Sequence, residues 1–152
     1  MADDALLQHL DVHYQAMPPV ASMHLSIAGY DGVRLRLHAP LSVHVNDKGC
    51  AFGGSLVSLM TLAGWGLVSL RLQAAGLDAD VFVADSQVRY LAPLFADLDA
   101  EAGFAPDSDP AAFLDAVRTR GRGRIELQAT VPLPGGGVAT TMQARYVAIA
   151  RR

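Results

Sequence analysis

The stretch from Gly49 through Leu70 contains no charged residue and constrains the fold of this chain more than any other feature. A helix that is apolar on every side must be surrounded either by protein or by lipid. The stretch is long enough to cross a bilayer, but its hydroxyl residues and glycines, and the short amphipathic strand patterns on both sides, favour a buried helix. We therefore expect a core helix from about Gly53 to Ala75, with Gly76 as its stop signal.

Short helices and the first strands are predicted from residue spacing. Residues 3–17 carry apolar side chains on one helical face, and Pro110 begins a second short helix for which Asp109 is the expected N-cap. Between them, residues 23–41 read as two strands joined by a turn at residues 30–32. One face of each strand is apolar and the other is polar.

The strands after the core helix complete the predicted sheet. Residues 81–93 form a long strand that Pro93 closes, and residues 94–104 are expected to be its antiparallel neighbour. Residues 123–150 form a hairpin around a Pro-Gly-Gly-Gly turn. The order of elements predicts an α+β fold in which a single antiparallel sheet wraps around one long central helix, with residues 1–152 as one domain.

Composition narrows the class of protein. The chain has 152 residues, of which 51% are hydrophobic and 18% charged, and its net charge is −3. These values favour a well-buried globular protein and argue against a nucleic-acid-binding surface. Cys50 is the only cysteine, and the first residues are acidic rather than basic and apolar, so we expect no internal disulfide and no signal peptide. Both expectations predict a cytoplasmic protein.

The residues at the mouth of the central helix, Asn46 to Gly54, follow the spacing N-x-x-G-x-x-x-G-G. This spacing and the order of elements resemble the hotdog-fold acyl-thioesterases, whose familiar motif has a histidine immediately before the two glycines. Phe52 stands at that position here. The stretch FGGSLVSLMTLAGWGL resembles the bacterial acyl-CoA thioesterase-like domains that sometimes follow an acetyltransferase domain. The resemblance implies a hotdog fold for nearly the whole chain.

The resemblance and the chemistry of helix N-termini together suggest a catalytic site. The backbone N–H groups of Gly53 and Gly54 are predicted to donate to the thioester carbonyl oxygen; the alternative is that the glycines only permit close packing of the loop. Asn46 is expected to support this loop by bonding its backbone. The side chains predicted to contact the substrate lie at the start of the helix: Phe52, Ser55, Ser58 and Thr61.

Hydrolysis also needs a group that activates water or attacks directly, and the resemblance implies a carboxylate on the long helix or on a facing element. The helix carries none, and Thr61 stands where many relatives have an acid. Asp85 is the predicted base because it interrupts an apolar strand that the fold would bring near the helix start. The alternative is that Asp85, Gln87 and Arg89 form the solvated face of that strand. Asp47 is the second choice.

The function expected from these features is hydrolysis of an acyl thioester of coenzyme A or of acyl carrier protein. It is predicted to need no metal and no redox cofactor, and to occur in a homodimer or a dimer of dimers without a membrane span or a nucleic-acid partner. An acyl-binding module without turnover is the rival hypothesis, since both the histidine and the helix acid are missing. Dehydration or isomerisation of acyl thioesters is less favoured.

Overall fold

The computed structural model describes residues 2–151. Within this range, six antiparallel strands form one sheet, and four α-helices pack with it. The order of strands across the sheet is β1-β2-β4-β5-β6-β3. The elements in chain order are α1 (Ala2–Ala16), α2 (Pro18–Ala21), β1 (Ser26–Tyr30), β2 (Arg34–Ala39), α3 (Gly53–Ala74), β3 (Ala79–Tyr90), β4 (Leu98–Phe104), α4 (Pro110–Arg120), β5 (Arg122–Pro132) and β6 (Val138–Ala150).

Helix α3 is the predicted core helix. It has 22 residues, it begins at Gly53, and Gly76, with φ +71°, follows its C-cap in the left-handed conformation that suits glycine. By length and composition α3 could cross a membrane, with a mean hydropathy of 1.4, but 56% of its most apolar window is buried inside the protein. A core helix meets the same criteria, so the finding is weak evidence for a span.

Two buried tyrosines attach neighbouring elements to the middle of α3. The hydroxyl of Tyr14, on α1, donates to the carbonyl oxygen of Leu62 over 2.6 Å, and that of Tyr146, on β6, donates to the carbonyl oxygen of Thr61 over 2.8 Å. Burial raises the pKa of both phenols. These bonds satisfy the polar end of each ring inside an apolar core.

The sheet follows the predicted alternation. On β2 the side chains of Leu35 and Leu37 are fully buried, and on β5 every second residue from Ile125 to Val131 is buried. Asp109 caps α4 as predicted, because its carboxylate accepts a hydrogen bond from the backbone N–H of Ala112 over 3.1 Å. The hairpin between β5 and β6 is confirmed as well.

The predicted pairing of residues 94–104 with residues 81–93 is wrong. Strand β4 lies between β2 and β5, and β3 instead pairs with β6. The physical reason lies in burial: Leu98, Ala100 and Ala102 of β4 are buried as in a central strand, whereas β3 is exposed over most of its length. The connection between β3 and β4 crosses the start of α3, where the carbonyl oxygen of Leu94 accepts a hydrogen bond from the backbone N–H of Ala51 over 2.9 Å.

Strand β3 forms an open edge of the sheet. In the described part of the chain it pairs with β6 alone, over 12 residues. Large apolar side chains are exposed along this edge and just beyond it: Phe82, Val83, Tyr90, Leu91 and Phe95. A long open strand with apolar side chains is a template for pairing with another chain.

Candidate active site

The loop before α3 is closed by its own backbone and by Asn46. Val45 and Ala51 form an isolated antiparallel bridge, and the backbone N–H of Asn46 donates to the carbonyl oxygen of Cys50 over 2.8 Å. The side-chain oxygen of Asn46 accepts from the backbone N–H groups of Lys48 and Cys50, over 2.8 and 3.1 Å. These contacts are the ones that a loop-supporting role for Asn46 requires.

The first turn of α3 leaves two backbone donors free. The N–H of Ser55 bonds the carbonyl oxygen of Phe52 over 3.0 Å, but within residues 2–151 the N–H groups of Gly53 and Gly54 have no hydrogen-bond acceptor. Phe52 is the N-cap residue, and its side chain cannot cap the helix. The free donors lie at the positive end of the helix dipole, where an oxygen carrying negative charge is stabilised.

Both glycines are also places of close approach. A Cβ atom at Gly54 would lie 2.6 Å from the ring of Phe52, and one at Gly53 would lie 3.3 Å from the ring of Tyr90. The Tyr90 hydroxyl donates to the carbonyl oxygen of Gly53 over 3.2 Å. Close packing and free donors therefore coexist at this helix start, and the two interpretations of the glycine pair do not exclude each other.

A groove of about 520 Å³ runs from the helix start between α3 and α2. Its volume falls within the range of roughly 300–1,000 Å³ that is typical of small-molecule sites. The four side chains predicted to contact substrate, Phe52, Ser55, Ser58 and Thr61, all line it. Gly54 and apolar residues of α3, of α2 and of the turn after α2 complete the lining: Val57, Leu62, Pro19, Val20 and Met23. An apolar groove with a few hydroxyl groups suits an acyl chain whose carbonyl lies at one end.

A buried histidine lies beneath the mouth of this groove. The His44 side chain is buried, and its Nδ1 atom lies 2.8 Å from the hydroxyl oxygen of Ser55. Its Nε2 atom lies 2.7 Å from the carbonyl oxygen of Met23. The backbone of His44 belongs to the same site, since its carbonyl oxygen accepts from the N–H of Phe52 over 2.7 Å.

Sequence reasoning missed this pair. His44 and Ser55 stand eleven residues apart in the sequence, with no motif that joins them. The nearby Cys50 is buried, and its sulfur contacts the Asn46 side chain. The contact with Ser55 exists because the bridge at Val45 turns the chain back on itself. The only signal in the sequence is that His44 comes directly before Val45, where the closed loop begins, and this signal is weak.

The structure does not bring Asp85 together with the glycines within one protomer. Asp85 lies opposite Arg145 in the β3–β6 ladder, and the two side chains form an ion pair at 3.6 Å. The residues of β6 on either side of Arg145, Ala144 and Tyr146, are buried toward α3, so Arg145 and Asp85 lie on the outer face of the sheet. Five residues of strand, about 16 Å, separate Asp85 from Tyr90 at the helix start.

The second carboxylate candidate, Asp47, also lies away from the groove. Asp47 is exposed and pairs with Lys48 over 2.9 Å. A larger open groove of about 1,080 Å³ on the outer face contains Arg120, Arg122 and Arg124, with acidic side chains among them. Mixed charges of this kind are common on solvated surfaces.

The fold defines the structural class of this protein. An antiparallel sheet wrapped around one long buried helix, with a glycine loop at the start of that helix, is the hotdog architecture. A crystal structure of a thioesterase from Haemophilus influenzae shares this fold, with a TM-score of 0.70 at 15% identity over 93% of this chain and 90% of that chain.

More similar proteins narrow the class. A protein of unknown function from Chlorobaculum tepidum matches with a TM-score of 0.86 and 28% identity, covering 99% of this chain and 95% of that one. A structure described as a putative thioesterase from Shewanella oneidensis matches with a TM-score of 0.85 and 27% identity, covering 96% and 99%. Residues 7–150 match the family model described as "Putative thioesterase (yiiD_Cterm)". The chain belongs to this thioesterase family.

Proposed function

We propose that this protein hydrolyses an acyl thioester, carried by coenzyme A or by acyl carrier protein, to a free acid and a thiol. The observation that carries the proposal is the pair of free backbone N–H groups at Gly53 and Gly54, at the mouth of an apolar groove. Family membership supports the reaction class. The route uses water and protein groups, and the proposal includes no metal and no redox cofactor.

The free donors would act on the thioester carbonyl. When a nucleophile attacks, negative charge develops on the carbonyl oxygen, and preorganised N–H groups at a helix start stabilise it more than they stabilise the neutral substrate. The groove beside Ser58 and Thr61 would hold the acyl chain. Asn46 would keep the glycine loop in place, since its side chain bonds the backbone on the far side of the loop.

We propose further that two copies of the chain pair through β3. The open edge spans 12 residues and carries exposed apolar side chains at Phe82 and Val83. An edge strand that pairs with itself about a two-fold axis would extend the sheet antiparallel from one copy to the next. A homodimer, or a dimer of dimers, follows from this pairing.

We also propose that residues 1–152 act as one domain in the cytoplasm. Most of the apolar surface of α3 is covered by the rest of the protein. The protein should be recovered in the soluble fraction after cell lysis without detergent. Recovery only with detergent-extracted membranes would count against this location.

Acyl binding without turnover is the second candidate function. One observation favours it: among the groove-lining residues in the described part of the chain, none is acidic. A groove that binds an acyl chain but lacks an activating group would hold a thioester without cleaving it.

A panel of acyl-CoA and acyl-pantetheine thioesters tests the proposal, with released thiol measured by a trapping dye. We expect turnover, and a preference among chain lengths. Ser58→Trp should fill the groove and lower kcat/KM, whereas Thr119→Trp, at an exposed position of α4, should not. If the unmodified protein binds acyl-CoA but releases no thiol, hydrolysis is wrong and acyl binding is the function.

A further inference from the structure

The hydrogen bonds of His44 determine which tautomer it adopts. The carbonyl oxygen of Met23 can only accept, so the contact at Nε2 requires that this nitrogen carries the proton. In the neutral imidazole, Nδ1 is then an acceptor, and the Ser55 hydroxyl donates to it over 2.8 Å. A buried histidine is thus oriented so that its unprotonated nitrogen lies next to one hydroxyl.

The Ser55 hydroxyl differs from the other bonded hydroxyls of α3. Thr61 and Ser69 donate to carbonyl oxygens four residues earlier, over 2.7 and 2.8 Å, which is the ordinary behaviour of such residues inside helices. Ser55 donates to the imidazole instead, and its hydroxyl group does not cap the helix. Ser55 also lines the apolar groove between α3 and α2, one residue after the free N–H of Gly54.

We propose that Ser55 is the nucleophile of the thioester hydrolysis proposed above, on which this inference rests, and that His44 is its base. The arrangement has the three parts that an activated serine needs: a hydroxyl, a base within hydrogen-bond distance, and a group that orients the base. Here the orienting group is the Met23 carbonyl. No carboxylate of the described residues lines the groove, and His44 takes the activating role that a carboxylate would otherwise have.

In the first half-reaction the Ser55 oxygen attacks the thioester carbonyl carbon while its proton passes to Nδ1 of His44. The carbonyl oxygen becomes an oxyanion bonded by the N–H groups of Gly53 and Gly54. The oxyanion collapses, the carbon–sulfur bond breaks, and the leaving thiolate takes the proton from Nδ1. The products are the free thiol and an acyl ester on Ser55.

In the second half-reaction water attacks the ester carbonyl carbon and gives a proton to Nδ1. The same N–H groups stabilise the second oxyanion. The bond between the acyl carbon and the Ser55 oxygen then breaks, and that oxygen takes the proton back. The sum is thioester plus water giving acid plus thiol, with Ser55 and His44 restored.

The first test compares variants on a thioester that the unmodified protein hydrolyses. Ser55→Ala and His44→Asn should each lower kcat by about a hundredfold or more, and the double variant should lose no more than the worse single variant, because the two residues act as a unit. Ser69→Ala is the matched control, since it removes a hydroxyl from the same helix at a position that does not line the groove. Circular dichroism melts check that each variant is folded. If His44→Asn does not fold, the rate of Ser55→Ala alone tests the proposed pair.

The second test asks whether the acyl group passes through a common intermediate. In water–methanol mixtures an acyl-serine partitions between free acid and methyl ester after the thiol has left. The ester-to-acid ratio should therefore be the same for the coenzyme A and pantetheine thioesters of one acyl chain. Acid quenching during turnover followed by peptide mass mapping should detect the acyl mass on the peptide containing Ser55 whenever ester hydrolysis is the slower step.

The outcomes separate this inference from the proposed function. If the unmodified protein hydrolyses no thioester, the proposed function fails and this inference with it. If the protein is active and folded Ser55→Ala keeps its rate, only the role of Ser55 fails. If Ser55→Ala is inactive but the ester-to-acid ratio changes with the leaving thiol, the covalent step is wrong.

Discussion

Two polar pairs in this protein contrast in position and chemistry. The His44–Ser55 pair lies at the start of α3, where a buried imidazole is hydrogen-bonded at both nitrogens and Ser55 lines an apolar groove. The Asp85–Arg145 pair lies on the outer face of the sheet, where the Asp85 side chain is 64% exposed. Residue type alone favours the carboxylate as a base, but burial and fixed geometry favour the histidine.

The difference follows from what each environment does to a proton acceptor. An exposed carboxylate beside an arginine is solvated and partly neutralised, so it gains little reactivity from the protein. A buried imidazole with a fixed tautomer presents one lone pair to one donor, and water does not compete with that donor. Position in the fold therefore determines which polar group can act on a substrate in the groove.

The largest effect beyond the pair itself is expected from removing a donor at the helix start. Gly54→Pro eliminates one free N–H, and kcat should fall by about a hundredfold, the usual result of losing one oxyanion donor. Gly54→Ala is the control, because it adds a Cβ against the Phe52 ring but keeps the N–H. Equal losses in both variants would assign the effect to packing rather than to the donor.

An intermediate effect is expected at the edge strand that carries Asp85. Val83 lies near the middle of β3 and is exposed, so Val83→Asp would bring two new carboxylates close together across a two-fold axis. Light scattering should give a dimer or tetramer for the unmodified protein and a tenfold or greater rise in the dissociation constant, about 1.4 kcal/mol, for the variant. A stable monomer in the unmodified protein at micromolar concentration would contradict pairing through β3.

The smallest effect is expected from the outer pair. Asp85→Asn removes a charge that lies on the outer face of the sheet, away from the groove of its own protomer, so kcat should change by less than about threefold and the free energy of unfolding by less than about 1 kcal/mol. Steady-state kinetics and a denaturant titration measure the two quantities. A hundredfold loss in a folded protein would support Asp85 as the base, as the sequence predicts.

The sequence predicts the fold better than the site because the fold depends on periodicity. The charge-free stretch identifies α3, and strand alternation identifies the buried faces of β2 and β5. The neighbours of β4 could not be predicted, since strand order depends on which strands are paired on both edges after the whole sheet has assembled. Pairing between consecutive strands is only a tendency.

The site could be predicted only where it is local in sequence. The glycines, Phe52 and the groove hydroxyls lie on one helix start, so one motif contains them. The contact between His44 and Ser55 needs the loop closed by Asn46, and the orientation of the imidazole needs the carbonyl of Met23, 21 residues away from it. No spacing rule connects these groups.

The most direct test of the account compares kcat/KM of Ser55→Ala and Asp85→Asn on the best thioester of the panel. Ser55→Ala removes a hydroxyl group, Asp85→Asn removes a negative charge, and neither substitution changes the backbone. If the chemistry takes place at the start of α3, Ser55→Ala should be at least about a hundredfold slower than Asp85→Asn, which should remain near the unmodified protein. The reverse order, with an active Ser55→Ala and an inactive, folded Asp85→Asn, would contradict the account.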